Sequence, residues 1–182
     1  MKTLYINTSS EKLILKLFKK NKVYKEIMLS HERNASQILM PSIKKLLEDE
    51  NLDNIIVVNG PGSFTGIRLG VTVAKTFAYI LKVPIRTITT LEELAVSLKE
   101  DKKIVAIAEN NGYFVGIFDY DNNLVGEYKY LTNSEYEEFS NKYHVYTNIE
   151  LDYTKIYDYT MKKDETNPHF VNPLYIKKLD YE

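Results

Sequence analysis

Four of the seven glycines in this 182-residue chain crowd into eleven positions, Gly60 to Gly70, within the segment NGPGSFTGIRLG. A continuous β-branched run, IIVV at 55–58, precedes them, and the helical pattern FTGIRLGVTVAKTFAYIL follows. An uninterrupted apolar strand must be buried from both sides, so strand, glycine-rich turn and long helix in succession imply an α/β architecture whose sheet is covered on both faces.

The turn admits two uses. Backbone amides from Gly62 to Gly66, with hydroxyls from Ser63 and Thr65, at the start of a helix would suit a phosphate. The spacing of a nucleotide loop is absent, however, since Lys75 stands far beyond Ser63 and no G-x-G-x-x-G occurs. In the second use, Gly66, Gly70, Ala74 and Ala78 recur every four residues as a ridge without bulk, flanked by Ile67, Val71, Phe77 and Leu81. Another helix could close onto such a ridge, and close approach would offset the roughly 1 kcal/mol that Gly70 costs relative to alanine in a helix. Arg68, Thr72, Lys75, Tyr79 and Lys82 then take the solvated side. Packing is the favoured use, either against another subunit or within the same domain.

Elsewhere the pattern repeats. TLYINTS, LILKLF and VYKEIML read as a three-strand meander, followed by a helix over 35–49 with Ile38, Leu39, Ile43, Leu46 and Leu47 on one face and Pro41 as a kink or true start. PIRTITT is the next strand, and TLEELAVSLKE a helix capped by Thr90 with Glu93 three residues on. After EDKK, three more strand candidates (KIVAIAE, YFVGIFDY, NLVGEYKYL), a short helix NSEYEEFSN and a strand HVYTN follow in the same order. Two β-β-β-α-β units predict a duplicated, two-lobed chain: residues 1–100, with the glycine-rich loop, and a smaller lobe over 101–182. Residues 150–169 show no strong periodicity, and FVNPLYIKK is apolar enough to dock on the body.

Composition narrows the chemistry. Cysteine is absent, which removes disulfides, thiolate metal sites and a cysteine nucleophile, and agrees with a reducing cytoplasm. Lys plus Arg, 24, balances Asp plus Glu, 25, so no overall cationic field holds a polyanion. His31, His144 and His169 lie far apart without H-x-x-x-H spacing, Ser63 is not in G-x-S-x-G, and Glu109 and Asp119 stand among turn residues where solvated carboxylates are the rule. No catalytic residue and no metal ligand is expected. The tyrosines at 143–159 lie among acids rather than cations, as half-buried core residues do and RNA-stacking ones do not. No stretch reaches the roughly 20 apolar residues of a membrane span, so no membrane partner is expected.

NGPGSFTGIRLGVTVAKTFA resembles the signature segment of the TsaB family, the partner subunits in bacterial threonylcarbamoyladenosine tRNA modification. LYINTS is similar to the family's L-x-I-D-T-S strand, SQILMP to its S-E-L-L-L-P helix start, TTLEELA to the segment after the next strand, and NPLYIKK to its C-terminal P-x-Y-L-R. The resemblance implies a two-lobed, actin-like or acetate-kinase-like (ASKHA) fold and a non-catalytic role. It implies pairing with a TsaD-like transferase that modifies adenosine 37 of tRNAs reading codons beginning with A. It further implies a TsaE-like ATPase on that pair, a homodimer when the partner is absent, and only indirect contact with tRNA.

On that footing the contact falls on the helices at 35–49 and 65–82, with Ile38, Leu39, Gly66, Gly70, Val71, Ala74, Phe77, Ala78 and Leu81 as interface residues. No cofactor is then expected on the isolated chain, with ATP and magnesium entering only at the partner complex. Asn7 stands where the family usually has aspartate, AENNGYF replaces its D-A-R-R-type turn, its segment histidine falls at Ala35, and the second lobe is shorter. The alternative is a nucleotide-dependent ATPase or phosphotransferase of the same fold, using Gly62, Ser63, Thr65 and Gly66 for phosphate.

Overall fold

The computed structural model describes residues 1–30 and 34–176. His31 and the two lysines ending NPLYIKK lie outside these described residues. A five-stranded sheet is built from β1 (Lys2–Asn7), β2 (Lys12–Lys19), β3 (Lys22–Ser30), β4 (Asn54–Val58) and β5 (Ile85–Ile88), in the order β3-β2-β1-β4-β5. The meander pairs antiparallel, while β4 and β5 add in parallel beside β1. Strand alternation divides the side chains between two cores. Leu4, Ile6, Leu13, Leu15, Ile55 and Val57 point to one face, under helices α1 (Ala35–Leu47) and α2 (Phe64–Leu81). Tyr5, Ile14, Phe18, Ile56 and Val58 point to the other. The continuous run IIVV is thus buried on both sides, as its composition requires.

α1 begins before Pro41 and runs through it; Pro41 is exposed, so its missing N–H falls on the solvent side. α3 (Thr90–Ser97) follows β5 and is capped one residue earlier than expected: Thr89 and Glu92 form the reciprocal capping box. The tandem TT and EE of TTLEEL allow either register, and burial decides between them. Leu91 and Leu94 must face the second sheet, which turns Glu93 inward.

That second sheet is β6 (Lys103–Glu109), β7 (Gly112–Phe118) and β8 (Lys129–Thr132), followed by α4 (Asn133–Lys142). The expected strand HVYTN shrinks to a parallel bridge between Tyr146 and Val105, with Tyr146 donating to the Ile104 carbonyl at 2.8 Å. Even so, β8-β7-β6-Tyr146 repeats the order β3-β2-β1-β4, and the duplication is real.

The division at residue 100 is not clean. Residues 153–162, which have no clear periodicity in sequence, form helix α5 (Tyr153–Lys162), N-capped by the Asp152 carboxylate, which accepts from the amides of Thr154 and Lys155. Its Ile156 and Tyr157 pack on the second face of the first sheet. The chain then crosses β5 at Thr166, which pairs with Ile85, and Val171 enters the first core. The C-terminal stretch therefore belongs physically to the first unit: α5 supplies the apolar cover that the α3 side of the sheet otherwise lacks.

Candidate functional site

α2 is amphipathic in the sense its sequence predicts, but its ridge packs on the chain's own sheet rather than on another subunit. Gly66, Ile67, Gly70, Val71, Ala74 and Ala78 are buried against the chain's own sheet. A Cβ at Gly66 would strike the Thr8 carbonyl, and one at Gly70 the Thr8 hydroxyl. The smooth ridge exists because the turn after β1 passes directly beneath it, with Thr8 Oγ1 donating to the Gly66 carbonyl at 2.7 Å. The interface expectation is thereby corrected residue by residue: Leu39, Gly66, Gly70, Val71, Ala74 and Ala78 face inward, where no other subunit reaches them. Ile38 and Phe77 lie half-buried at the rim, and Leu81 is exposed.

The side of α2 that does meet solvent has three rows. Thr65, Thr72 and Thr76 form a crest of short side chains; Leu69, Val73, Phe77 and Ile80 line one flank, with Ile80 68% exposed; and Arg68, Lys75 and Lys82 recur every seven residues on the other. α2 is long and apolar enough to resemble a membrane span by length and composition, but its inner face is the core of a sheet-packed layer.

The glycine-rich turn is a clasp rather than an open anion cradle. The Ser63 amide donates to the Ser9 carbonyl at 2.7 Å, and the Ser63 hydroxyl accepts from the Gly66 amide. Gly62, at φ +147, backs so closely on Ser9 that no side chain fits. Of the expected phosphate ligands, Ser63 has both its amide and its hydroxyl in this clasp and Gly66 its amide, while the Thr65 side chain is exposed. Thr90 ties the loop to α3 through the carbonyls of Gly60 and Pro61, and Leu174 ties it to the C-terminal strap through the Asn59 carbonyl at 2.7 Å.

Behind the clasp lies a polar cluster that sequence reasoning misses. The Asn7 carboxamide oxygen accepts from the Ser9 amide and hydroxyl, while its nitrogen donates to Tyr5 Oη at 3.1 Å and to Glu93 Oε2 at 3.2 Å. The Tyr5 hydroxyl donates to the other Glu93 oxygen. Glu93 is fully buried, and desolvation pushes its pKa up to about 8; the Tyr5 hydrogen bond opposes this and the Glu92 charge adds to it. Burial also raises the Tyr5 hydroxyl well above its ordinary value. The Asn7 amide nitrogen supplies Glu93 with a donor that an aspartate at position 7 would lack. The only available signal was two adjacent glutamates, one more than a capping box uses.

His144 and His169 lie far apart, the first beside Tyr146 and the second beside Tyr79. Among the described residues no three His, Asp or Glu side chains gather as a metal-ligating group. Glu109 closes the β6–β7 hairpin opposite Gly112, whereas Asp119 accepts from Asn123 at the next turn, so the two carboxylates serve different turns.

Comparison with known proteins agrees with this architecture. The family model of TsaD, tRNA N6-adenosine threonylcarbamoyltransferase, matches residues 22–109. The tRNA threonylcarbamoyladenosine biosynthesis protein TsaB of Bacillus subtilis is 34% identical over 133 residues, covering 69% of this chain and 58% of that one. The protein of the same name from Buchnera aphidicola (Schizaphis graminum) is 33% identical over 114 residues, covering 59% and 54%. Over 69% of its length the chain is similar to the TsaB family. The fold of YeaZ from Pseudomonas aeruginosa superposes with a TM-score of 0.76 at 17% identity, over 96% of this chain and 99% of that one. A putative N-acetylmannosamine kinase from Listeria monocytogenes, at TM-score 0.51, shares the ASKHA-type core over 69% of the chain. The chain spans just over half the length of the curated TsaB relatives it matches. The two TsaB features most legible in sequence, the glycine turn and the Asn7 position, prove to be one connected structure, joined through Ser9.

Proposed function

We propose that the chain is a non-catalytic partner subunit required for threonylcarbamoyladenosine formation at position 37 of tRNAs reading A-starting codons. It pairs in the cytoplasm with a TsaD-like transferase on which a TsaE-like ATPase docks. The observation that carries this reading is the 34% identity to a named TsaB, coupled to a long helix whose outer flank leaves Ile80 exposed and Leu69, Val73 and Phe77 half-buried. A partly exposed apolar row on a rigid helix is what a partner protein covers. The interface so proposed uses the outer rows of α2 with Ile38 and Met40 of α1, in place of the glycine ridge. ATP and magnesium enter only at the partner complex; on this chain the Ser63 amide is committed to the Ser9 carbonyl and the Gly66 amide to the Ser63 hydroxyl.

The test is depletion of the chain in its source cells followed by mass spectrometry of tRNA nucleosides. Loss of threonylcarbamoyladenosine, restored by the wild-type chain, supports the reading, and unchanged modification rejects it. Calorimetry of the isolated chain with magnesium and ATP tests the phosphotransferase alternative, which tight binding would favour.

A further inference from the structure

Helix α3 serves both sheets. Its Leu91, Leu94 and Ala95 pack with Val105, Phe114 and Phe118 of the second sheet, while Val96 and Glu93 turn back to the first. At its C-terminal end the Ser97 hydroxyl accepts from the Asp152 amide at 2.9 Å and the Ser97 carbonyl from the Lys155 ammonium at 3.3 Å, which ties it to the start of α5. Whatever fastens α3 therefore fastens the joint between the two sheets.

Two tethers run from α3 to the glycine-rich turn. Thr90 makes the first: its amide donates to the Gly60 carbonyl at 2.9 Å and its hydroxyl to the Pro61 carbonyl at 2.7 Å. Glu93 makes the second, accepting from Asn7, which accepts from Ser9, whose carbonyl accepts from the Ser63 amide. The first tether contains no titratable group. The second passes through a carboxyl group that is fully buried.

The groups facing that carboxyl are neutral or negative. β1 offers the Tyr5 hydroxyl and the Asn7 amide, α3 itself adds the Glu92 charge, and α5 brings Tyr153, whose hydroxyl is pushed up by burial and by the Glu93 charge. Cations on the surrounding elements are engaged elsewhere. Lys16 of β2 lies 3.9 Å from the Tyr153 ring centre and pairs with Glu26, Arg86 of β5 pairs with Glu165 at 3.2 Å, and Lys103 of β6 reaches the Tyr120 carbonyl and Asn122. Near α5, Lys163 pairs with Glu92 at 2.7 Å, and Tyr159 donates to the same carboxylate oxygen. An ionised Glu93 would have two neutral donors and no counter-ion in a dry site, so it keeps its proton while the joint is packed and yields it to solvent once water enters.

We infer that the Glu93–Asn7–Ser9 chain is a proton-held latch: protonated Glu93 keeps α3 seated between the two sheets, and loss of that proton opens this joint locally while each sheet stays folded. The backbone ladders within each sheet hold by groups that do not titrate, which confines the effect to α3. The closed joint binds one proton more than the open one between about pH 5 and about pH 8, so opening becomes roughly tenfold more favourable per pH unit there and levels off above.

The experiment is amide hydrogen exchange of the full chain, read by mass spectrometry from about pH 6 to about pH 9 and corrected for the intrinsic pH dependence of exchange. Protection of α3 peptides should fall roughly tenfold per pH unit up to about pH 8, and stay roughly tenfold or more below that of β1, β2 and β4 throughout. Glu93→Gln should make α3 protection independent of pH, whereas Glu92→Gln should keep the slope. Should Glu93→Gln fail to fold, the wild-type profile still decides. Equal protection of α3 and the β1, β2 and β4 strands at every pH overturns the inference, because Glu93 would then ionise only on global unfolding. Protection of wild-type α3 without a pH slope overturns it as well, as does a slope that survives in Glu93→Gln or vanishes in Glu92→Gln.

Discussion

Replacing Glu93 with glutamine should abolish a pH dependence of stability that the wild-type chain carries across neutrality. The folded chain holds the Glu93 proton up to about pH 8, whereas the unfolded chain releases it near the ordinary value of 4.5. Unfolding in that interval therefore releases a proton, and stability falls with rising pH by about 1.4 kcal/mol per unit. The contribution is fully present below about pH 4.5 and lost as pH rises through about 8. Its loss reaches about 3 kcal/mol at pH 7 and about 5 kcal/mol at the upper end. Glutamine keeps the shape of the protonated acid and cannot ionise. Its oxygen can still accept from Tyr5, but its amide nitrogen then faces the Asn7 nitrogen, donor against donor. That mismatch is independent of pH, so it moves the whole difference curve without changing its slope. Urea unfolding followed by circular dichroism, at unit intervals from about pH 5 to about pH 9, gives the difference between the two proteins. It should climb steadily from pH 5 to pH 8 and then level off. A flat difference would refute the reasoning, because it would mean that the carboxyl titrates alike in the folded and unfolded chains.

Gly70→Leu should unfold the chain or destabilise it by about 3 kcal/mol or more, since any side chain there meets the Thr8 hydroxyl in the turn after β1; a normal urea midpoint would place the ridge outside the core. Ile156→Ala should cost about 2–5 kcal/mol, because this fully buried side chain docks α5 on the first sheet, and a loss confined to helix fraying, below about 1 kcal/mol, would detach α5 from the fold.

Most of the first sheet and both outer helices were legible from residue pattern. The runs LYI, LILKLF and IIVV alternate or saturate as two-faced strands must, and the glycine turn announces a strand-to-helix junction. What the pattern left open was the partner of the ridge. A four-residue repeat of small side chains says that something comes close to α2 but not what, and only the path of Thr8 beneath Gly66 and Gly70 assigns that contact to the chain itself. The same ambiguity hid α5, whose stripe of Ile156, Tyr157 and Thr160 is too short to stand out among half-buried tyrosines until a sheet face is there to bury it. It also hid Glu93, one of two adjacent acids that differ only in which way α3 turns. Sequence by itself determined the strand order's raw material, the family resemblance and the chemistry that lacks cysteine. The tertiary structure decided what the ridge of α2 packs against and which acid is dry, because these depend on contacts between segments dozens of residues apart.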